Sequence, residues 1–227
     1  MEYKEQSITE HIAELRKRVV RICVILIIIF PLLFYLSPEL IHGFWKGLIN
    51  EQMFVYSPVE WVLLRLVFSL ILSVIIIYPY AMFELYLFAK PGLYESERSF
   101  LKFMILSGYL VFLAGSYLSY AFLVPFIYNF SFGSPFYSVE KTTLNAIKLS
   151  FAFGLLFQIP LVMFLLEKFN FVSQQTLKNL RVPIYLVVVA FILNSPTDLS
   201  GFAQIAVLVS FFIMFEIGLF IIGLSKR

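Results

Sequence analysis

Two short segments of this 227-residue chain place carboxylates beside basic or aromatic side chains. Glu14 lies in the sequence AELRKR near the N-terminus, and Glu97 lies in YESER, where Glu95 precedes it. Phe88 and Tyr94 stand shortly before Glu97 and can supply aromatic surfaces. Carboxylates bind a guanidinium group through paired, charge-assisted hydrogen bonds, and aromatic rings stack against its face. The two segments therefore predict a site for a ligand that carries arginine-like cations.

Both segments also have a structural interpretation that needs no ligand. In the first segment, one face of a helix carries Ile8, Ile12, Leu15 and Val19. Glu14 can pair with Arg18 one turn later. Such a helix lies at a membrane surface and anchors its basic side chains to anionic lipid. In the second segment, the carboxylate of Glu97 can complement the N-terminal dipole of a helix. Residue types alone leave the ligand-binding and the structural alternatives open.

No arrangement of residues in the sequence indicates catalysis. The two histidines, His11 and His42, fall on opposite sides of the first apolar run, and Asp198 is the only aspartate. A nucleophile elbow, a phosphate-binding loop and a zinc-binding motif are all missing from the sequence. A single cysteine, Cys23, excludes a disulfide scaffold and a thiolate metal cluster. We therefore expect a protein that is not an enzyme and that holds no metal or cofactor.

The elements that would position these residues are membrane helices. Apolar residues make up 61% of the chain and charged residues 14%, whereas soluble proteins average roughly 45–50% and about 25%. Because one domain of this length cannot bury so many apolar side chains, lipid must cover the remainder. A formal net charge of only +3 argues against a nucleic-acid partner. The apolar residues form six runs, namely Val19–Leu36, Val62–Tyr80, Leu101–Phe126, Leu144–Leu166, Val182–Leu193 and Phe202–Leu224.

These runs predict an all-α membrane protein with six transmembrane helices, because backbone amides in lipid must bond within their own segment. A helix needs about 20 residues to cross a hydrocarbon core about 30 Å thick. The fifth run provides only about 18 Å of helix. The sixth run contains Glu216, so its spanning part is expected to stop near Phe215. We therefore expect the last two spans to be short.

The distribution of basic residues predicts the orientation of the chain. Most of the 17 lysines and arginines flank the runs on the side of the N-terminus. The exceptions are Lys46, Arg65, Lys141 and Lys148. The positive-inside rule then places both termini in the cytoplasm, and an even number of spans agrees with this placement.

The predicted topology makes residues 1–227 a single integral membrane domain. It contains a cytoplasmic amphipathic segment at residues 1–18, a first cytoplasmic loop at residues 81–100 and a second at residues 167–181. A cleavable signal peptide is disfavoured, because no small-residue cleavage site follows the first apolar run.

Several polar residues fall within or beside the apolar runs and need partners there. Arg65 and Lys148 are expected near the outer ends of their helices and Glu84 near an inner end, so each can extend its charged group toward water. Gln158 lies in the middle of the fourth run, two residues before Pro160. The proline bends the helix and frees a backbone carbonyl, while the side-chain amide requires a hydrogen-bonding partner. A packing contact between spans and a functional site explain Gln158 equally well.

Six blocks follow one another in a specific order, namely EHIAELRKRVV, SPVEWVLLRL, FAKPGLYESER, GSYLSYAFLVP, AFGLLFQIPLV and NSPTDLS. In this order and spacing they resemble the TatC family, the multispanning receptor subunit of the twin-arginine protein translocase. The resemblance covers nearly the whole chain, and ELRKR and PGLYESER are its most specific parts.

The resemblance implies a multi-pass protein of the cytoplasmic membrane that exports folded proteins with the proton-motive force. It implies that signal peptides with paired arginines bind on the cytoplasmic face. It also implies partners, which are single-span TatA-like subunits, in some systems TatB-like subunits, and further copies of the chain itself. By motif alignment the arginine-binding carboxylates are Glu14 and Glu97. Neighbouring family positions fall on Leu15, Arg16, Phe88 and Tyr94.

Two further positions relate to the family pattern in different ways. Many members carry a glutamate where this chain has Gln158, and an amide cannot titrate. An amide does not support a proton-relay role, so the roles expected for Gln158 are a polar contact with a partner helix or with an inserted signal. Asp198 in SPTDLS matches the family pattern, and we expect it to cap the last helix.

Two other protein classes compete with this interpretation. A secondary transporter of small solutes typically has inverted repeats and several polar groups at the membrane midplane, whereas this chain has one such group and no visible repeat. A structural or insertase-type membrane protein would carry the inner carboxylates as solvated surface groups.

Overall fold

The computed structural model describes residues 8–48, 53, 55, 57–131, 139–193 and 201–225. Within these residues all regular secondary structure is helical. The α-helices are α1 Ile8–Leu48, α2 Pro58–Ala89, α3 Glu95–Leu118, α4 Val124–Ser131, α5 Val139–Leu156, α6 Ile159–Lys168, α7 Gln174–Asn179, α8 Arg181–Leu193 and α9 Gly201–Ser225. A 3-10 turn, Lys90–Gly92, precedes α3, and a π-helical turn, Ser119–Leu123, joins α3 to α4.

The predicted membrane spans are confirmed as helices. In the described part of the chain, five helical stretches are long and apolar enough to cross a bilayer, and they are Ile12–Leu48, Pro58–Gly92, Glu97–Tyr128, Val139–Lys168 and Gly201–Leu224. The fifth predicted run forms α8, which has only 13 residues. Helix α9 has 25 residues and continues without a break past Phe215. Where its membrane-spanning part ends relative to Glu216 stays a prediction.

The segments predicted as cytoplasmic are largely helical themselves. Within residues 81–100, α2 continues to Ala89, and only the 3-10 turn and two further residues separate it from α3. Within residues 167–181, the short helix α7 lies between α6 and α8. Helix α1 runs without a break from the described part of the segment 1–18 into the first span. The cytoplasmic side of these segments stays a prediction.

Contacts divide the chain into two compact units, which are described separately. The first unit comprises Met1–Ile41 and Arg65–Tyr109. Its longest helix, α1, leaves large apolar side chains such as Ile27 and Ile28 about two-thirds exposed. Exposure of this extent along an apolar helix fits a lipid environment, because lipid replaces the protein core as the apolar surroundings.

Within the first unit, Arg65 of α2 stabilises α1 at a proline. Pro38 has no N–H, so the carbonyl of Phe34 one turn earlier lacks its helical donor. Arg65 Nη2 and Ser37 Oγ donate to this carbonyl oxygen at 2.8 and 2.7 Å. Arg65 Nε also donates to Ser37 Oγ at 2.8 Å, and its guanidinium carbon lies 4.3 Å from the centre of the Phe34 ring. Arg65 is therefore bound by protein groups, which differs from the expectation that it extends freely toward water.

The second unit comprises His42–Leu64 and Leu110–Arg227 and has α5 near its centre. One cluster of buried apolar side chains consists of Val124, Ile127, Ala146, Leu149, Phe153 and Ala203. A second cluster joins α6, α7 and α9 and consists of Met163, Leu177, Phe215, Leu219 and Ile222. The chain bends between the two clusters, because α5 ends at Leu156 and α6 begins at Ile159, next to Pro160. The helix break that the sequence predicted at this proline is confirmed.

Helices α3 and α5 approach each other closely at Gly154. A Cβ atom added at Gly154 would lie 2.3 Å from Ser116 Oγ and 2.6 Å from a ring carbon of Phe112. Phe112 is completely buried, so its ring has no free space to move into. Glycine at position 154 is therefore required by the packing of the two helices, as is common for small residues between membrane helices.

We expect Gly154→Ala to lower the stability of the folded protein by about 1–3 kcal/mol, because the new methyl group overpacks a filled interface. Thermal unfolding in detergent, followed by loss of the monodisperse peak in size-exclusion chromatography, measures the effect. Gly43→Ala is the matched control, since a Cβ at Gly43 meets no atom within 4 Å. Equal unfolding temperatures for the two variants would contradict the packing argument.

Candidate functional site

The predicted carboxylate Glu14 lies in an ion-pair cluster within the first unit. Its Oε1 accepts hydrogen bonds from Arg18, one turn later in α1, including one from Nε at 3.2 Å. The same guanidinium donates through Nη1 to Oε2 of Glu84 in α2 at 3.0 Å. Glu84 Oε2 also accepts from Arg21 Nη2 at 2.9 Å, and its Oε1 accepts from the Tyr80 hydroxyl at 2.7 Å. The cluster therefore joins two carboxylates, two guanidiniums and one phenol.

Helical spacing explains why these groups meet. Residues 14, 18 and 21 are four and three positions apart, so they lie on one face of α1. Tyr80 and Glu84 are four positions apart on α2. The side chain of Glu84 is only 4% exposed, and a buried carboxylate is tolerated only when its charge is paired and its oxygens are bonded. Two positive and two negative groups leave the cluster without net charge.

The expectation that Glu84 extends toward water is wrong, because the two arginines of α1 bind it inside the protein. Sequence reasoning missed this residue as part of the site. The sequence nevertheless contains a pattern that indicates this contact. A carboxylate in an apolar helix, such as Glu84, needs cationic partners, and Arg18 and Arg21 supply them from one face of α1.

The second predicted carboxylate, Glu97, caps the start of α3. Its Oε2 accepts a hydrogen bond from the backbone N–H of Tyr94 at 2.8 Å. The carbonyl of Tyr94 in turn accepts from the backbone N–H groups of Glu97 and Arg98 at 3.1 and 3.0 Å. This is the carboxylate half of a capping box, so the capping alternative is confirmed for Glu97. Within the described residues its other oxygen, Oε1, accepts no hydrogen bond.

The other predicted residues of the surface differ in accessibility. Leu15 and Arg16 are exposed on α1, and Tyr94 is 72% exposed beside the 3-10 turn. Phe88 is half-buried near the end of α2. In the part of the chain that the structure describes, no hydrogen bond or ion pair connects Glu97 to the cluster of Glu14. A shared surface that contains both carboxylates stays a prediction.

Gln158 lies at the break between α5 and α6 and is 9% exposed. Its backbone N–H donates to the carbonyl of Leu155 at 3.0 Å, and its carbonyl accepts from Val162 N–H at 2.9 Å. The side chain is a buried polar group at a helix bend. Asp198 lies outside the described residues, and its capping of α9 stays a prediction.

The second unit contains an ion pair that was not predicted. Glu216 of α9 pairs with Arg181 at the start of α8 and accepts a hydrogen bond from the Tyr185 hydroxyl at 2.6 Å. The ring of Tyr185 packs against Phe212 and Phe215, with centroids 4.4 and 5.4 Å away. These contacts hold the short helix α8 against α9. Among the described residues no group of histidine, cysteine, aspartate or glutamate side chains could hold a metal ion.

Comparisons with known proteins agree with this architecture. The model of the family described as Sec-independent protein translocase protein (TatC) matches residues 10–209. The Bacillus subtilis protein TatCy is 28% identical, with 100% of this chain and 92% of the relative covered. The Rickettsia prowazekii protein TatC is 30% identical, with 88% of this chain and 87% of the relative covered.

A solved structure has the same fold. The crystal structure described as that of the twin arginine translocase receptor TatC gives a TM-score of 0.80 at 24% identity. The superposition covers 96% of this chain and 100% of the other. At this identity the likeness shows the fold alone, and it confirms the all-α membrane architecture that the sequence predicted.

We expect Glu97→Ala to lose the cap of α3, at a cost of about 1 kcal/mol, while Glu97→Gln keeps it because an amide oxygen also accepts a hydrogen bond. Hydrogen exchange measured over residues 93–99 tests this difference. Exchange there should be about fivefold faster in the alanine variant and close to the native rate in the glutamine variant. Equally fast exchange in both variants would show that the cap depends on charge rather than on the hydrogen bond.

Proposed function

Because the chain belongs to the TatC family of Sec-independent protein translocase proteins, we propose that Glu14 and Glu97 bind the paired arginines of signal peptides on exported cargo. The chain is a multi-pass membrane protein and a component of a protein translocase, not an enzyme. In this proposal the carboxylates lie on the cytoplasmic face, where the signal peptide arrives. Leu15, Arg16, Phe88 and Tyr94 complete the binding surface.

The observation that carries the proposal is that Glu14 already binds a guanidinium. Arg18 donates to its Oε1 from both Nε and Nη2. The position, exposure and hydrogen-bonding geometry of Glu14 therefore suit an arginine ligand. Support also comes from relatives at 28% and 30% identity, which are described as Sec-independent protein translocase proteins.

The physical chemistry of ion pairs requires more than one contact. An exposed ion pair contributes only about 0–1 kcal/mol, so a single carboxylate would discriminate poorly. Two arginines that engage two carboxylates add their contributions, and the apolar segment of a signal peptide can bury further surface against exposed apolar side chains. The exposed ring of Tyr94 can also stack on a guanidinium.

The translocase assignment implies partner subunits in the membrane. We propose that single-span TatA-like subunits, in some systems TatB-like subunits, and further copies of the chain associate with its lipid-facing helices. Gln158 is a candidate polar contact for such a helix, because its side-chain amide lies at a bend of a membrane-spanning segment. The small-solute transporter was the competing assignment, and the comparisons support the translocase family instead.

We expect Glu14→Gln and Glu97→Gln each to weaken the binding of a twin-arginine signal peptide by about five- to tenfold, because each variant loses a charge-assisted hydrogen bond. The measurement is a fluorescence titration of the full-length protein in lipid nanodiscs. A peptide with two lysines in place of the arginines should bind weakly to the native protein and to both variants.

Glu95→Gln is the matched control for this experiment. Glu95 lies in the same first turn of α3 and is exposed, and within the described residues it forms no ion pair. Binding should therefore stay within about twofold of the native value. A native protein without preference for arginine over lysine, or an equal loss in the Glu95 variant, would contradict the proposed site.

The short helix α8 supports a second element of the proposal. Its 13 residues correspond to about 20 Å, which is less than the thickness of about 30 Å of the hydrocarbon core. Such a mismatch thins the bilayer locally, and a thinned patch beside the partner helices would ease the passage of a folded protein.

We expect the insertion of six leucines into α8 to impair transport and to leave signal-peptide binding unchanged, because the longer helix removes the mismatch. Export of a twin-arginine reporter protein from cells measures transport, and the nanodisc titration measures binding. Normal export by a variant that inserts stably would count against bilayer thinning.

A further inference from the structure

Arg18 holds both acidic residues of the α1 and α2 cluster with one guanidinium. Its Nε and Nη2 face Glu14, and its Nη1 faces Glu84. The two carboxylates differ in accessibility, since the side chain of Glu14 is 30% exposed and that of Glu84 is 4% exposed. An incoming ligand can therefore reach Glu14, whereas Glu84 is enclosed.

Arg18 therefore binds Glu14, the carboxylate that the proposed function pairs with an arginine of the cargo. The side chain of Arg18 is 14% exposed, so its guanidinium is largely desolvated and needs a carboxylate at all times. Glu84 satisfies this need from the buried side, and it keeps bonds to Arg21 and Tyr80 as well. Arg18 can consequently give up Glu14 without becoming an unpaired buried charge.

We propose that Arg18 competes with the cargo arginine for Glu14, and that Glu84 is the positioning residue that retains Arg18 when Glu14 exchanges its partner. This inference rests on the proposed function of Glu14. Arg18 then determines specificity, because a ligand must bind Glu14 better than a bonded guanidinium does. A lysine ammonium lacks the planar fork of donors, so it displaces Arg18 poorly.

The proposal makes opposite predictions for the two residues. Removal of the competitor leaves Glu14 open, so Arg18→Gln should bind a twin-arginine peptide about fivefold more tightly. The same variant should discriminate less against a twin-lysine peptide. Glu84→Gln deprives Arg18 of its second carboxylate and keeps it on Glu14, so binding should become about fivefold weaker.

A double variant connects the two effects. Once Arg18 is absent, the charge of Glu84 no longer influences Glu14, so the double variant with Arg18→Gln and Glu84→Gln should bind as tightly as the Arg18 variant alone. Lys17→Gln removes one positive charge from the same exposed part of α1 and is the matched control. Within the described residues Lys17 forms no ion pair, and its variant should bind within about twofold of the native protein.

The experiment is the titration of full-length protein in nanodiscs with twin-arginine and twin-lysine peptides, after size-exclusion chromatography and thermal unfolding show that each variant is folded. Weaker binding by the folded Arg18→Gln variant, or a double variant as weak as the Glu84 variant, would overturn the proposal and leave Arg18 as a brace between helices. If Arg18→Gln does not fold, Arg18→Lys is tested in its place. This variant should bind the twin-arginine peptide more tightly than the native protein does, and equal or weaker binding would overturn the proposal.

The outcome for the native protein separates this inference from the proposed function. A native protein that shows no preference for paired arginines removes the receptor assignment of Glu14 itself. A native protein that prefers arginines, combined with an Arg18 variant that binds no more tightly, removes only the competition by Arg18.

Discussion

Neither a protein interior nor a bilayer solvates a charge or a freed backbone carbonyl, so such a group needs a partner within the protein once the fold encloses it. Glu84 shows the constraint most clearly, because its enclosed carboxylate is bonded by two arginines of α1 and by a tyrosine of its own helix. The carbonyl freed by Pro38 obtains its donor from Arg65 of the neighbouring helix for the same reason. These polar contacts specify how α1 and α2 pack against each other in the first unit. Apolar surfaces alone would not fix the position of one helix along the other.

The same constraint connects structure to recognition. A cluster that needs arginines to neutralise its carboxylates has the chemistry that binds arginines from elsewhere. Glu14 lies at the accessible edge of this cluster and Glu84 at its enclosed end, with Arg18 between them. The proposed function therefore assigns two uses to one set of ion pairs, namely stabilisation of the helix pair and binding of a cationic ligand. The proposal gives Glu97 a comparable double role, since one of its oxygens caps α3.

In the second unit, packing and polar contacts have separate places. Gly154 allows α3 and α5 to approach closely, while the contacts of Glu216 with Arg181 and Tyr185 attach the short helix α8 to α9. A helix of 13 residues is too short to be anchored by the thickness of the membrane, so it depends on its neighbours for its position. The contacts with α9 therefore hold α8 in position among longer membrane helices.

The sequence by itself determined the membrane class, the six helical spans, the short fifth span, the helix break at Pro160 and the family, because hydropathy, proline chemistry and motif order are local properties. It also indicated Glu14, Glu97 and the pairing of Glu14 with Arg18, since residues four apart on a helix are neighbours. Only the tertiary structure decided that Arg18 also binds Glu84, that Arg65 serves the carbonyl of Phe34, and that Glu216 holds α8. Each of these contacts joins residues more than 25 positions apart in the chain, and no local pattern states which faces of two helices will meet.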